Sequence, residues 1–216
     1  MGNNKVILLI LLLTALACTP KKPADVKLPY FNTPDFTPIW LDKSTAEYQN
    51  LHTIPAFSFT DQNGNSITNQ TVNNKIYVVD FFFTRCQNIC PKMTGNMAKV
   101  SAAFIGHPNI LMLSHSVTPE LDNIAVLRNY AKLKNVTNPN WHLLTGDKKQ
   151  IYDIARKGYF ADNAIGYNKD FNEFLHTENF ILVDGQHHIR GVYNGTIDFE
   201  IDNLIRHIKI LEKEVD

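Results

Sequence analysis

Residues 81–93 read FFFTRCQNICPKM and follow the β-favouring pair Val78 and Val79. An apolar run of this kind is a strand buried on both faces, and here it feeds directly into a turn that carries two cysteines. Pro91 suits the first turn of a helix, where a missing N–H costs little. Cys90 is therefore expected at or beside a helix N-terminus, with Cys86 on the loop just before it. Exposed N–H groups and the helix dipole lower a thiol's pKa, so both cysteines are expected as thiolates near neutral pH. Thiolates serve disulfide exchange and soft-metal binding alike, and both remain open at this point.

Outward from this segment the pattern is regular. Met93, Met97, Val100 and Phe104 recur at helical spacing after the cysteines, and residues 110–116 form a second apolar strand. Leu121, Ile124, Leu127 and Leu133 predict a helix opened by Pro119 and Glu120. Residues 141–144 read as a short strand. Asp147 is placed to cap a helix carrying Ile151, Ile154 and Ala155, which Gly158 ends. Residues 180–183 and 189–193 predict a hairpin over Asp184 and Gly185, and residues 198–212 a closing helix with Ile201, Leu204, Ile205, Ile208 and Leu211 on one face. On the N-terminal side, residues 56–60 and 66–68 flank a turn at Asp61 to Gly64. Strands alternating with helices give an α/β class, with a mixed central sheet flanked by helices. The order resembles a thioredoxin-like fold with an N-terminal hairpin and an inserted strand–helix unit.

The chain has 216 residues, enough for one domain with additions, and its 21 Lys plus Arg balance 21 Asp plus Glu. No basic tract interleaved with aromatics is present, which argues against nucleic acid as a partner. Residues 1–17 read as an export signal: Lys5, an apolar run over residues 6–13, then small residues up to Ala17. Cys18 follows directly, and TALAC resembles a bacterial lipoprotein signal in which that cysteine carries the lipid, although Ala15 stands where leucine is usual. The expected location is exported, as a membrane-anchored lipoprotein facing the periplasm or cell exterior. Residues 18–50 read as a proline-rich tether of which Tyr30, Phe31, Phe36 and Trp40 pack on the domain, and residues 51–216 as the domain itself. At about 3.1 Å per residue, twenty extended residues reach roughly 60 Å. With Cys18 lipidated, only Cys86 and Cys90 remain, a pair suited to chemistry rather than to scaffolding.

Thioredoxin-type reductases use CxxC against a cis-proline loop, whereas this chain has CxxxC and no proline after Pro139. Where that loop would stand, just before the last hairpin, the chain has Leu175, His176 and Thr177. Two sulfurs and an imidazole make a low-coordinate site suited to copper, with the sulfurs favouring Cu(I) and the nitrogen tolerating Cu(II). Three segments, FFFTRCQNICPKM, SVTPELD at residues 116–122 and the histidine before ENFILVDG, resemble the Sco/SenC family of copper proteins over about residues 54–211. Members assist assembly of the copper A centre of cytochrome c oxidase. The resemblance implies one copper per chain held by Cys86, Cys90 and His176. It implies partners among the oxidase subunit carrying the copper A site, other copper carriers and thiol reductases. Gln87 replaces the family's usual proline and Thr118 its usual aspartate; neither removes a ligand.

Two other functions compete. Cys86 and Cys90 also suit a thiol–disulfide reductase that keeps partner cysteines reduced for metallation. Peroxidase chemistry lacks the PxxxTxxC arrangement, since Thr84 lies two residues before Cys86 and no proline precedes it in residues 80–84. Of the remaining candidates, Met93 and Met97 read first as core, His187 and His188 as solvated turn residues, and Arg85 as a neighbouring charge or a solvated one. His115 reads as a buried hydrogen-bonded residue with an optional role behind the ligands.

Overall fold

The computed structural model describes residues 26–161 and 174–215. Strands β1 (Tyr30–Phe31) and β2 (Pro38–Ile39) and a short helix α1 (Ala46–Gln49) lead into the hairpin β3 (Ser58–Asp61) and β4 (Ser66–Thr68). One turn of helix, α2 (Asn69–Val72), then precedes β5 (Ile76–Phe82), α3 (Cys90–Ala103), β6 (Ile110–Ser116), α4 (Ile124–Leu133) and β7 (Trp141–Thr145). Helix α5 (Lys148–Asp153) widens into a π-helical turn over Ile154–Gly158, and β8 (Asn179–Val183), β9 (Ile189–Asn194) and α6 (Asp198–Val215) complete the described chain.

These strands form one sheet in the order β2-β1-β9-β8-β5-β6-β7-β3-β4. The pairings β5–β6 and β6–β7 are parallel, as a helical crossover between them requires, and the others are antiparallel. The expected N-terminal hairpin is β3–β4 at one edge. The inserted unit is α4 with β7, so the thioredoxin-like order read from the sequence stands.

Every residue of β5 is buried, and its side chains alternate between two cores. Ile76, Val78 and Phe82 face α3, α4 and α6, whereas Tyr77, Val79 and Phe81 face α2 and α5. That double burial is why the run lacks a polar face. Met93, Met97 and Val100 of α3 are fully enclosed in the first core, each worth about 1.5–3 kcal/mol of burial. The two methionines are core, as their spacing implied.

Several expectations need correction. The helix expected from Pro119 starts later, at Ile124, with the Asn123 side chain accepting from the Val126 N–H at 3.1 Å. Residues 118–122 form a turn instead, in which the Leu121 and Asp122 amides both reach the Thr118 carbonyl at 2.9 Å. Leu121 lies before the helix, and both it and Leu133 are exposed. Trp40, expected to pack, is 63% exposed, with its indole N–H on the Lys27 carbonyl at 3.3 Å. Tyr30 is buried and Phe36 stacks edge-on to Phe31, as expected of them. His188 is buried between Tyr30 and Tyr48 rather than solvated, because the hairpin turn spans Asp184 to His188 and folds it inward. His187 takes φ +68 within that turn.

One buried cation closes the structure where the chain enters the domain. The Arg190 guanidinium donates to the carbonyls of Leu28 (2.8 Å) and Pro29 (3.0 Å) and pairs with Asp184 (3.1 Å) and Glu214 (2.9 Å). It also lies 4.1 Å from the Tyr30 ring centroid. Glu214 accepts in turn from the Leu28 N–H at 3.2 Å.

Candidate metal centre

Beyond β5 the chain turns sharply over residues 83–86, closed by the Cys86 N–H on the Phe83 carbonyl at 3.2 Å. Cys90 then opens α3, with Pro91 in its first turn. Strand end and helix start thus bring the two sulfurs together as the sequence implied. The Cys90 N–H donates to Cys86 Sγ at 3.4 Å, and the sulfurs are not bonded to each other. Cys90 is 4% exposed and belongs to the first core, whereas Cys86 is half-buried against it.

The same placement splits their acidity, contrary to the expectation of two thiolates. Burial works against a Cys86 thiolate, but the Cys90 thiol and the backbone N–H groups of Cys90, Asn88 and Ile89 donate to it and hold its pKa below the ordinary value. Burial pushes Cys90 up to about 12, and donating its proton to Cys86 adds to the rise. The apolar wall that positions Cys90 also keeps it protonated, an effect that outweighs the helix terminus. Arg85 is exposed.

His176 lies on residues 174–178, the approach to β8, and is exposed. Phe174 packs edge-on against Phe83 with centroids 5.5 Å apart, and Leu175 is buried in the second core. The histidine loop is thus tied down at the end of β5 from which the cysteine turn springs. Among the described residues no three His, Cys, Asp or Glu side chains stand close enough together to hold a metal ion. Cys86 and Cys90 are brought together; His176, two residues beyond the anchored Phe174, does not close on them. Cys18 lies outside the described residues.

His115 has no part in this centre. It lies in the second core between Phe81 (5.3 Å, stacked) and Phe59 (5.1 Å, edge-on), fully buried, and neither ring nitrogen has a hydrogen-bond partner among the described residues. Burial alone drops its pKa to about 3.

Two carboxyl groups near the cysteines escaped the sequence reading. Asp80 is buried in β5, with its pKa raised to about 7 by burial and only partly restored by the Ser114 hydroxyl at 2.5 Å. The one available signal was an acid inside an otherwise apolar strand. Asp122, 1% exposed, accepts from the Thr84 N–H (3.1 Å) and hydroxyl (2.5 Å), the Ser116 hydroxyl (2.6 Å) and the Thr118 hydroxyl (3.0 Å). Thr118, where an aspartate would be usual, is therefore a donor to Asp122.

Similar proteins bear on this geometry. A crystal structure of a SCO1/SenC family lipoprotein from Bacillus anthracis str. Ames is 28% identical, covering 74% of this chain and 95% of its own, at a TM-score of 0.65. BsSco, described as a member of the Sco family of cytochrome c oxidase assembly proteins with a disulfide switch, is 26% identical over 75% of this chain and 94% of its own, at 0.63. ScoI of Bradyrhizobium japonicum, solved with copper bound, shares the fold at 24% identity, covering 71% and 98% of the two chains, at 0.55. The family model for SCO1/SenC matches residues 45–211, which span the hairpin, the cysteine turn, the Asp122 turn and the histidine loop, and the chain belongs to that family.

Proposed function

We propose that this protein carries one copper ion on Cys86, Cys90 and His176 and hands it to the cytochrome c oxidase subunit that bears the copper A site. The observation that carries this reading is the cysteine pair on one strand-to-helix turn, with the loop that bears His176 anchored at Phe83 through Phe174. The copper-bound relative and the family's link to cytochrome c oxidase assembly support it. Cys86, already the more acidic thiol, is the first sulfur to engage the ion. Engagement of Cys90 displaces its proton, and His176 supplies a neutral nitrogen from an exposed loop. Copper uptake therefore releases protons, and affinity falls as pH falls. Transfer proceeds by stepwise ligand exchange with the partner's donors. Lipidation of Cys18 with residues 18–50 as a tether, of which the part from Leu28 to Ile39 is bound to the sheet, belongs to the same proposal, and would hold the domain at a membrane outside the cytoplasm.

The test is copper stoichiometry and absorption on the purified full-length protein. One copper per chain is expected, with loss of Cu(II) affinity and of the thiolate-to-copper absorption in His176→Ala. Retention of both in that variant removes the imidazole from the ligand set.

A second reading has its own support in the unequal cysteines. A half-buried acidic thiol beside a buried protonated one is the arrangement of an attacking and a resolving group in a dithiol reductase. Cys86 would attack a partner disulfide, and Cys90 would release the partner by closing the Cys86–Cys90 bond. Rapid turnover on a disulfide substrate, indifferent to copper, favours this role over the first.

A further inference from the structure

We propose that Asp122 is the positioning residue of the dithiol, clamping the cysteine turn through Thr84 so that Cys86 stays within reach of the Cys90 N–H. The inference rests on Cys86 and Cys90 being the working pair.

Thr84 is an inner residue of the turn over residues 83–86, whose closing residue is Cys86. Asp122 holds Thr84 twice, at the backbone N–H (3.1 Å) and at the hydroxyl (2.5 Å). Its other donors, Ser116 and Thr118, belong to the end of β6 and the turn beyond it, and that framework is already fixed by the Val117 N–H on the Phe82 carbonyl at 2.9 Å. The carboxylate therefore bridges a rigid strand end to the segment that presents Cys86. Burying a carboxylate is unfavourable unless donors replace its water, and here four neutral donors do so. Closing residues 118–122 does not require it, because the Leu121 and Asp122 amides already bond the Thr118 carbonyl.

Thr118 fits this role. Its hydroxyl lies 3.0 Å from Asp122 Oδ2. A carboxylate at that position would set an acceptor against an acceptor and give Asp122 no hydrogen bond. The threonine instead adds a donor, and the orienting carboxylate of this chain sits at residue 122.

The experiment equilibrates the full-length protein with a glutathione buffer. Cys86 and Cys90 give up two electrons and two protons to form their disulfide, while oxidised glutathione becomes two molecules of reduced glutathione. The Cys90 N–H to Cys86 Sγ contact supports the reduced pair, so loosening the turn favours the disulfide. Asp122→Asn and Thr84→Val are each expected to shift the equilibrium constant about tenfold toward the disulfide, or about 30 mV for a two-electron couple. Their double variant is expected to shift it no further, and Thr84→Ser to restore the wild-type constant. Asp184→Asn, altering a buried carboxylate elsewhere, should lower Tm without moving the constant. Asp122→Asn and Thr84→Val that lower Tm yet stay within threefold of the wild-type constant would overturn the proposal. If Asp122→Asn does not fold, the Thr84 pair decides alone. The readout needs no metal, so a wild-type protein that fails to bind copper would sink the copper reading and leave this test intact.

Discussion

Cys86 and Cys90 are four positions apart and depart from an ordinary thiol in opposite directions, because one sulfur meets donors at the turn and the other meets the core. Alkylation under reducing conditions should reach Cys86 first, by more than about tenfold near neutral pH, since the thiolate is the nucleophile. Peptide mapping after a timed iodoacetamide pulse measures the ratio, and equal labelling would contradict the split. His115 carries a second prediction. Its pKa of about 3 lies below the unfolded value near 6.5, so the unfolded chain takes up a proton that the folded one refuses. Stability is then full above about pH 6.5 and declines toward pH 3, by up to about 1.4 kcal/mol per pH unit from this group. Denaturant titrations from pH 7 to 4 should show that slope, and His115→Phe should flatten it. At this scale the sequence disclosed the cysteine pair but not its surroundings. The donors of Asp122 come from residues 84, 116 and 118, brought together only when β5 and β6 pair. The absence of partners for His115 depends likewise on rings at positions 59 and 81.

Elements with a strong period were readable: β5 and β6 from unbroken apolar runs, α3 and α6 from helical stripes, and α5 from its Asp147 cap. The start of α4 was not, because Pro119, Glu120 and Leu121 imitate a first helical turn while Asp122 must point inward to meet its donors. The π-helical turn after α5 was equally invisible, since a shift of one hydrogen bond leaves no mark on composition. The turn between β9 and α6 offers a test at this level. The Asn96 amide of α3 donates to the Gly195 carbonyl at 2.8 Å, and the Gly195 N–H donates to the Glu178 carbonyl at 2.7 Å, so this turn joins the cysteine helix to the histidine loop. A Cβ on Gly195 would meet the Phe180 ring at 2.5 Å and the Glu178 carbonyl at 2.9 Å. Gly195→Ala should therefore cost about 1–3 kcal/mol and lower Tm by several degrees in a thermal melt. An unchanged Tm would mean that the two loops move independently.

Over the whole molecule, the two cores stabilise the sheet while Arg190 joins both ends of the described chain to it. Breaking a buried ion pair from one side leaves its partners desolvated and unpaired, a loss of about 3–5 kcal/mol. Arg190→Met should show a loss of that order in chemical denaturation, because Asp184, Glu214 and the carbonyls of Leu28 and Pro29 lose their shared donor. It should also expose the bond after Lys27 to trypsin, since Leu28 is no longer held. Mass spectrometry of a limited digest reads the new cut, and wild-type resistance in the variant would argue against the role of the arginine. The sequence offered no sign of this fastening: an arginine in a strand pattern looks like an outward-facing charge, and only the pairing of β1 with β9 turns it inward.

The arrangement also decides how the domain answers traction. A pull on the residues ahead of Leu28 is borne by a guanidinium gripping two successive carbonyls, with Glu214 holding the Leu28 amide beside it. Force delivered there is resisted collectively rather than one bond at a time, so the first event under load should be release at Arg190, well away from the cysteine turn.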